Sequence, residues 1–149
     1  MAAGASKTLK TKVKTSKAKK DYTSAVGRRR TASARVRLYK GDKESTVNGD
    51  VIGKYFSGSV MSVLWKKPFE LTETSGKYYV TAKVSGGGKN GQLEAVVHGI
   101  ARAFVSLDSD KFRTPLKTAG LLTRDARKRE RRMVGTGGRA RKQKQSPKR

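Results

Sequence analysis

The sequence predicts one domain that mixes strands and helices, held between two basic extensions. Three observations predict it. Residues 31–38 and 78–85 each alternate apolar and polar positions with a period of two, the pattern of a half-buried strand. Residues 92–107 space Leu93, Val96, Val97, Ile100, Ala103, Phe104 and Leu107 along one face of a helix. The net charge of +25 is concentrated at the ends. Residues 1–30 carry ten bases and one acid, residues 124–149 twelve bases and two acids, and the centre only fourteen bases against eight acids.

Residues 1–21 read as a disordered basic arm, too rich in Lys, Ser and Thr to bury a core. Residues 22–123 form the expected domain, and order is expected from Tyr22. In residues 31–38, Ala32, Ala34, Val36 and Leu38 share one face while Arg35 and Arg37 share the other. Residues 40–43 make a turn, residues 45–47 a short return strand, and Asn48-Gly49 another turn. Residues 50–66 suggest short helices stopped by Pro68, and residues 69–72 a strand. Tyr78, Val80, Ala82 and Val84 form the apolar face of the second strong strand. A glycine loop over 86–91 leads into the helix at Gln92, and a last helix spans 110–119, ending at Gly120. The apolar pattern stops after Leu122. Residues 124–132 read as a short basic helix, and the rest of 124–149 as a tail extended when bound to a polyanion.

Composition excludes several functions. With no cysteine there are no disulfides, thiolate nucleophiles or Cys-based zinc sites. No run approaches the about 20 apolar residues that span a bilayer. No apolar h-region opens the chain, so no secretory signal is expected; residues 6–20 lack the arginines and apolar face of a transit peptide. One histidine, His98, and dispersed acids assemble no catalytic triad, metal cluster or acid–base pair, so no enzyme and no cofactor are expected. So large a positive charge favours an anionic partner, nucleic acid first and an anionic membrane surface second.

Gly86-x-Gly88-x-x-Gly91 formally matches a dinucleotide fingerprint, but no second strand with a terminal acid follows the helix. A plain glycine turn outweighs a nucleotide site. A third reading has the glycines bring backbone N–H groups, aided by Lys89, to an RNA phosphate at a helix N-terminus. Arg28, Arg29 and Arg30 run into the strand bearing Arg35 and Arg37, which favours a nucleic-acid face over a solvated charge run. Tyr22, Tyr39 and Tyr79 are able to stack on bases, although packing is the more usual task.

Several segments together resemble the small-subunit ribosomal protein S-nine family in its bacterial form. They are Gly27-Arg28-Arg29-Arg30-Thr31-Ala32, Val47-Asn48-Gly49, Tyr55-Phe56, Gly86-Gly87-Gly88-x-x-Gly91-Gln92, His98-Gly99-Ile100-Ala101-Arg102-Ala103 and Leu116-Lys117-x-Ala119-Gly120-Leu121-Leu122-Thr123-Arg124-Asp125, with a terminal Lys148-Arg149. The resemblance covers about residues 22–149. It implies an α+β fold like the second domain of ribosomal protein S-five, with a four-stranded sheet, helices on one face and a left-handed β-α-β crossover. It implies a cytoplasmic ribosomal protein in the small-subunit head, beside proteins S-seven and S-ten, with no membrane or small-molecule substrate. Contacts to small-subunit ribosomal RNA are expected at Arg28, Arg29, Arg30, Arg35, Arg37, Gly86, Gly87, Gly88, Lys89, Gln92, Arg102, Arg124, Arg127, Lys128, Arg129, Arg131, Arg132, Arg139, Arg141 and Lys142. The tail tip, Lys148 and Arg149, is implied to reach peptidyl-site tRNA. Two segments depart from the family. Its usual Gly-Ala-Ile-Arg-His run is Glu94-Ala95-Val96-Val97-His98 here, and the tip reads Gln145-Ser146-Pro147-Lys148-Arg149 without the usual aromatic. Two other classes stay open at this stage: a histone-like nucleic-acid binder, and a phosphate-transfer enzyme using the glycine loop.

Overall fold

The structure is a computed structural model that describes residues 21–130. The expectations for the N-terminal arm before Asp21, and for Arg131, Arg132, Arg139, Arg141, Lys142, Lys148 and Arg149, lie outside the described residues.

Two long alternating strands, β1 (Tyr22–Arg29) and β2 (Ala32–Lys40), form an antiparallel hairpin turned at Arg30-Thr31. Two short strands follow, β3 (Thr46–Val47) and β4 (Asp50–Val51), joined through Asn48-Gly49. Helices α1 (Ile52–Tyr55) and α2 (Ser59–Leu71) lead to β5 (Tyr78–Ser85), and α3 (Gly88–Leu107) and α4 (Ser109–Thr118) complete the domain. The sheet order is β1-β2-β5-β3-β4, with β3 parallel to β5 and the other pairs antiparallel.

The mixed α+β architecture matches the expectation; several local readings do not. The sheet has five strands rather than four, because the Asn48-Gly49 turn adds β4 at its edge. The strand at 45–47 does not return against β2. The long β5 occupies that edge over eight register pairs, which a two-residue strand cannot displace. Residues 69–72 are not a strand: α2 runs through Pro68 to Leu71. Burial decides this, since Pro68 and Phe69 are packed inside and tertiary contact outweighs the local cost of proline. The helix expected from Gln92 begins at Gly88, so four of the six residues of the glycine loop are its first turn.

All the helices pack on one side of the sheet. Ala32, Ala34, Val36, Leu38, Val80, Ala82 and Val84 turn their side chains inward, to meet Leu93, Val96, Ile100 and Phe104 of α3. Phe104 lies at the centre, with Phe69, Tyr78 and Phe112 rings 5.5, 5.8 and 5.4 Å away in tilted or edge-on contacts. Where α3 crosses β1 there is no room for side chains. A Cβ on Gly27 would stand 1.8 Å from the Ala95 carbonyl oxygen, and one on Gly99 would meet Val36 Cγ2 at 2.6 Å. The glycine of the Gly-Arg-Arg-Arg run therefore serves packing.

Candidate nucleic-acid interface

The period-two alternation that buries one side of the sheet leaves the other side open. On that side β1 presents Tyr22, Ser24, Val26 and Arg28, β2 presents Ser33, Arg35, Arg37 and Tyr39, and β5 presents Tyr79, Thr81, Lys83 and Ser85. No acid stands among them. Arg35 is directly opposite Lys83 in the β2–β5 register, a like-charge pair that destabilises an isolated sheet. Arg35, Arg37 and Lys83 also line a cavity of about 530 Å³ that is walled by Thr46 and Asn48.

The tyrosines close one end of this face. Tyr39 stacks on Tyr79 at 5.1 Å between ring centroids, and Tyr22 tilts against Tyr39 at 5.4 Å. The Arg37 guanidinium lies 5.0 Å over the Tyr22 ring.

The glycine loop is built for close packing at its start and is open at its end. Gly86, Gly87 and Gly88 all have φ near +74°, a region that glycine enters without strain. A Cβ on Gly86 or Gly87 would strike Thr31 or Ala32 at the hairpin turn, whereas one on Gly88 meets nothing. Lys89 lies over the Tyr55 ring, 3.4 Å from its centroid, and donates to the Tyr55 carbonyl at 3.2 Å. Gln92 donates to the Gly86 carbonyl at 3.0 Å and accepts from the Tyr55 hydroxyl at 2.8 Å. Tyr55, which the sequence marks only as part of a motif, is thus the hub that ties α1 to the loop.

The remaining predicted residues divide by environment. Arg28 and Arg30 are exposed, one on β1 and one at the hairpin turn. Arg29 alternates to the helix side and is buried, where it meets Glu94 and Asp125. Arg102 donates to the Val26 carbonyl at 2.6 Å and so pins edge strand β1. Arg124, Arg127, Lys128 and Arg129 are exposed on a segment with no regular secondary structure. The basic helix expected there is absent over 124–130. Asp125 captures the backbone N–H of Arg127 at 2.9 Å, a local bond that competes with helix formation.

His98, Asp125 and Arg127 have displaced ionisation, Arg127 upward through its bond to Asp125. Burial holds His98 below the ordinary histidine range, and the charges of Arg102 and Arg124 push the same way. The Arg127 side chain, then its backbone N–H, hold the Asp125 carboxyl well below the usual carboxylate range, with Arg29 adding to the effect. Among the described residues no His, Cys, Asp and Glu group is placed to hold a metal ion, and no helix is long and apolar enough to cross a membrane.

Lys83 and Asn48 were missed as site residues. Lys83 was legible, because the alternation of 78–85 sets it on the face of Arg35 once the two strands are paired. Asn48 was not. It has a positive φ, and its side chain accepts from Val84 N–H at 2.8 Å and donates to the Val84 carbonyl at 3.1 Å, so it extends the β3–β5 ladder by one residue.

Comparison with known proteins identifies the family. Residues 27–149 match the family model described as ribosomal protein S9/S16. The chain is 46% identical over 119 residues to the small ribosomal subunit protein uS9 of Maridesulfovibrio salexigens, covering 80% of this chain and 91% of that protein. The chain belongs to the S9 family of small-subunit ribosomal proteins, which are structural and not enzymatic.

Proposed function

From that membership, we propose that this cytoplasmic ribosomal protein binds small-subunit ribosomal RNA through the open face of its sheet and its basic extensions. One observation carries the reading: an acid-free face on which Arg35 and Lys83 confront one another, with Arg28 and Arg37 beside them. Phosphates lodged between these cations would turn a repulsion into charge-assisted hydrogen bonds and release counterions. Such contacts hold shape and backbone and leave base sequence unread. Arg30, Arg124, Arg127, Lys128 and Arg129 extend the surface, and Arg131, Arg132, Arg139, Arg141 and Lys142 continue it in the sequence. Gly88 and the uncapped start of α3 offer backbone N–H groups to a further phosphate.

The finer placement we propose rests on the family resemblance. The protein sits in the subunit head near proteins S-seven and S-ten, and Lys148 and Arg149 contact peptidyl-site tRNA by electrostatic positioning. The parallel β3–β5 pair joined through β4, α1 and α2 is compatible with a fold like the second domain of ribosomal protein S-five, whose left-handed crossover is what the resemblance implies.

Two measurements test this. Replacing Arg35 and Lys83 by Ala is expected to weaken ribosomal RNA binding and to lower the slope of log affinity against log salt by roughly one to two; an unchanged slope refutes the sheet-face assignment. Deleting Gln145 to Arg149 is expected to leave subunit assembly intact and weaken tRNA at the peptidyl site. Equal tRNA affinity with and without those residues refutes the tail contact.

A further inference from the structure

We infer that Arg29 is a positioning residue, whose buried guanidinium, held between Glu94 of α3 and Asp125, fixes where the C-terminal basic segment leaves the domain. Its neighbours Arg28 and Arg30 are exposed, while Arg29 is 7% exposed. An arginine is almost never buried unless every part of its fork is paired. Here it is. Nε faces the Glu94 carboxylate, Nη2 lies 2.9 Å from Asp125 Oδ2, and Nη1 donates to the Arg127 carbonyl at 2.7 Å. One planar group therefore joins β1, α3 and the chain beyond Thr123.

Asp125 is the second joint. Besides Arg29 it takes the Arg127 backbone N–H at 2.9 Å and the Arg127 guanidinium at 2.7 to 3.1 Å. Residues 124–130 have neither helix nor strand to hold them, and the hydrogen bonds described for them all centre on Asp125 and Arg29. Glu94 completes the arrangement at the position where this chain departs from its family's usual run. An acid that looks misplaced in an RNA-binding protein is the counter-charge that makes a buried arginine possible.

The consequence for binding rests on the RNA reading above. A tethered segment presents Arg124, Lys128 and Arg129 from one place, and less ordering entropy is lost when RNA is bound. This sets a test in which the sign of the effect discriminates. Asp125→Asn removes an acid and raises the net charge, so electrostatics alone predicts tighter RNA binding. Loss of the anchor predicts weaker binding, by roughly tenfold, about the ordering of a single backbone residue.

The full chain and the Asp125→Asn and Arg29→Lys variants would be compared by amide relaxation of residues 124–130 and by affinity for small-subunit ribosomal RNA. Lysine keeps the charge that a phosphate contact needs and loses the fork that an anchor needs. Expected are a mobile 124–130 segment in both variants, weaker RNA binding despite the added charge of Asp125→Asn, and an unperturbed sheet. The inference is overturned if the segment stays as ordered as in the parent, or if Asp125→Asn binds RNA as tightly or more tightly. If the parent chain does not bind the RNA at all, the RNA reading fails, and the relaxation data alone decide the anchor.

Discussion

Gly27→Ala is a one-carbon change with a large expected cost. The new Cβ would stand 1.8 Å from the Ala95 carbonyl oxygen and 2.6 Å from the Gly99 nitrogen, both backbone atoms of α3. Real Cβ atoms essentially never approach closer than 3.0 Å, so helix and strand must separate by about an ångström. No side chain is available to swing aside. Overpacking usually costs about 1–3 kcal/mol, and a clash with rigid backbone belongs at or above the top of that range, about 3 kcal/mol. With a urea dependence of about 2 kcal/mol per molar for a domain of this size, the unfolding midpoint falls by roughly 1.5 M. Gly53→Ala is the control: it lies in α1 with nothing within 4 Å, and alanine is the better helix former there. Its midpoint is expected to hold or rise. Equal midpoints for the two variants in urea titrations followed by circular dichroism would refute the argument that close approach of α3 to β1 is what demands glycine at 27.

The remaining predictions concern charge and the sheet edge. Arg35→Ala should stabilise the free protein by roughly 0.2–1 kcal/mol while weakening RNA binding, because it removes the repulsion across from Lys83; calorimetry of the free chain checks the first sign. Asn48→Ala should cost about 2 kcal/mol, since it strands the Val84 N–H and leaves alanine at a positive φ; Asn48→Gly should recover only the backbone share in the same urea assay. The depressed His98 means that the unfolded chain takes up a proton the folded one resists. Stability should therefore be full above about pH 6.5 and decline as pH falls below it, a slope that His98→Gln removes in melts at pH 7 and pH 5.

The local elements were largely legible. Period two in 31–38 and 78–85 located β2 and β5, and the apolar spacing of 92–107 located most of α3. The same alternation set Arg35 and Arg37 on an exposed face before any pairing was known. The readings failed where partners far along the chain decide the outcome. Pro68 reads as a helix stop, yet buried contacts carry α2 past it. Residues 124–132 read as a helix, yet Asp125 is engaged by Arg29 from β1 and by the Arg127 N–H. Gly27 reads as part of a basic motif, and only the crossing of α3 shows what it makes room for.

By itself the sequence determined the class of protein: a modest mixed core, an excess of cations that needs a polyanion, and a run of motifs specific to one ribosomal family. Those properties depend on composition and on neighbours along the chain, so a linear reading reaches them. The tertiary structure alone decided which arginine of a run of three faces solvent and which is buried. Strand alternation turns Arg28 and Arg29 to opposite sides, and the acids that make burial of Arg29 tolerable lie 65 and 96 residues away. A charge is tolerated in an interior only when its counter-charges arrive in the right geometry, and that arrival is a property of the fold.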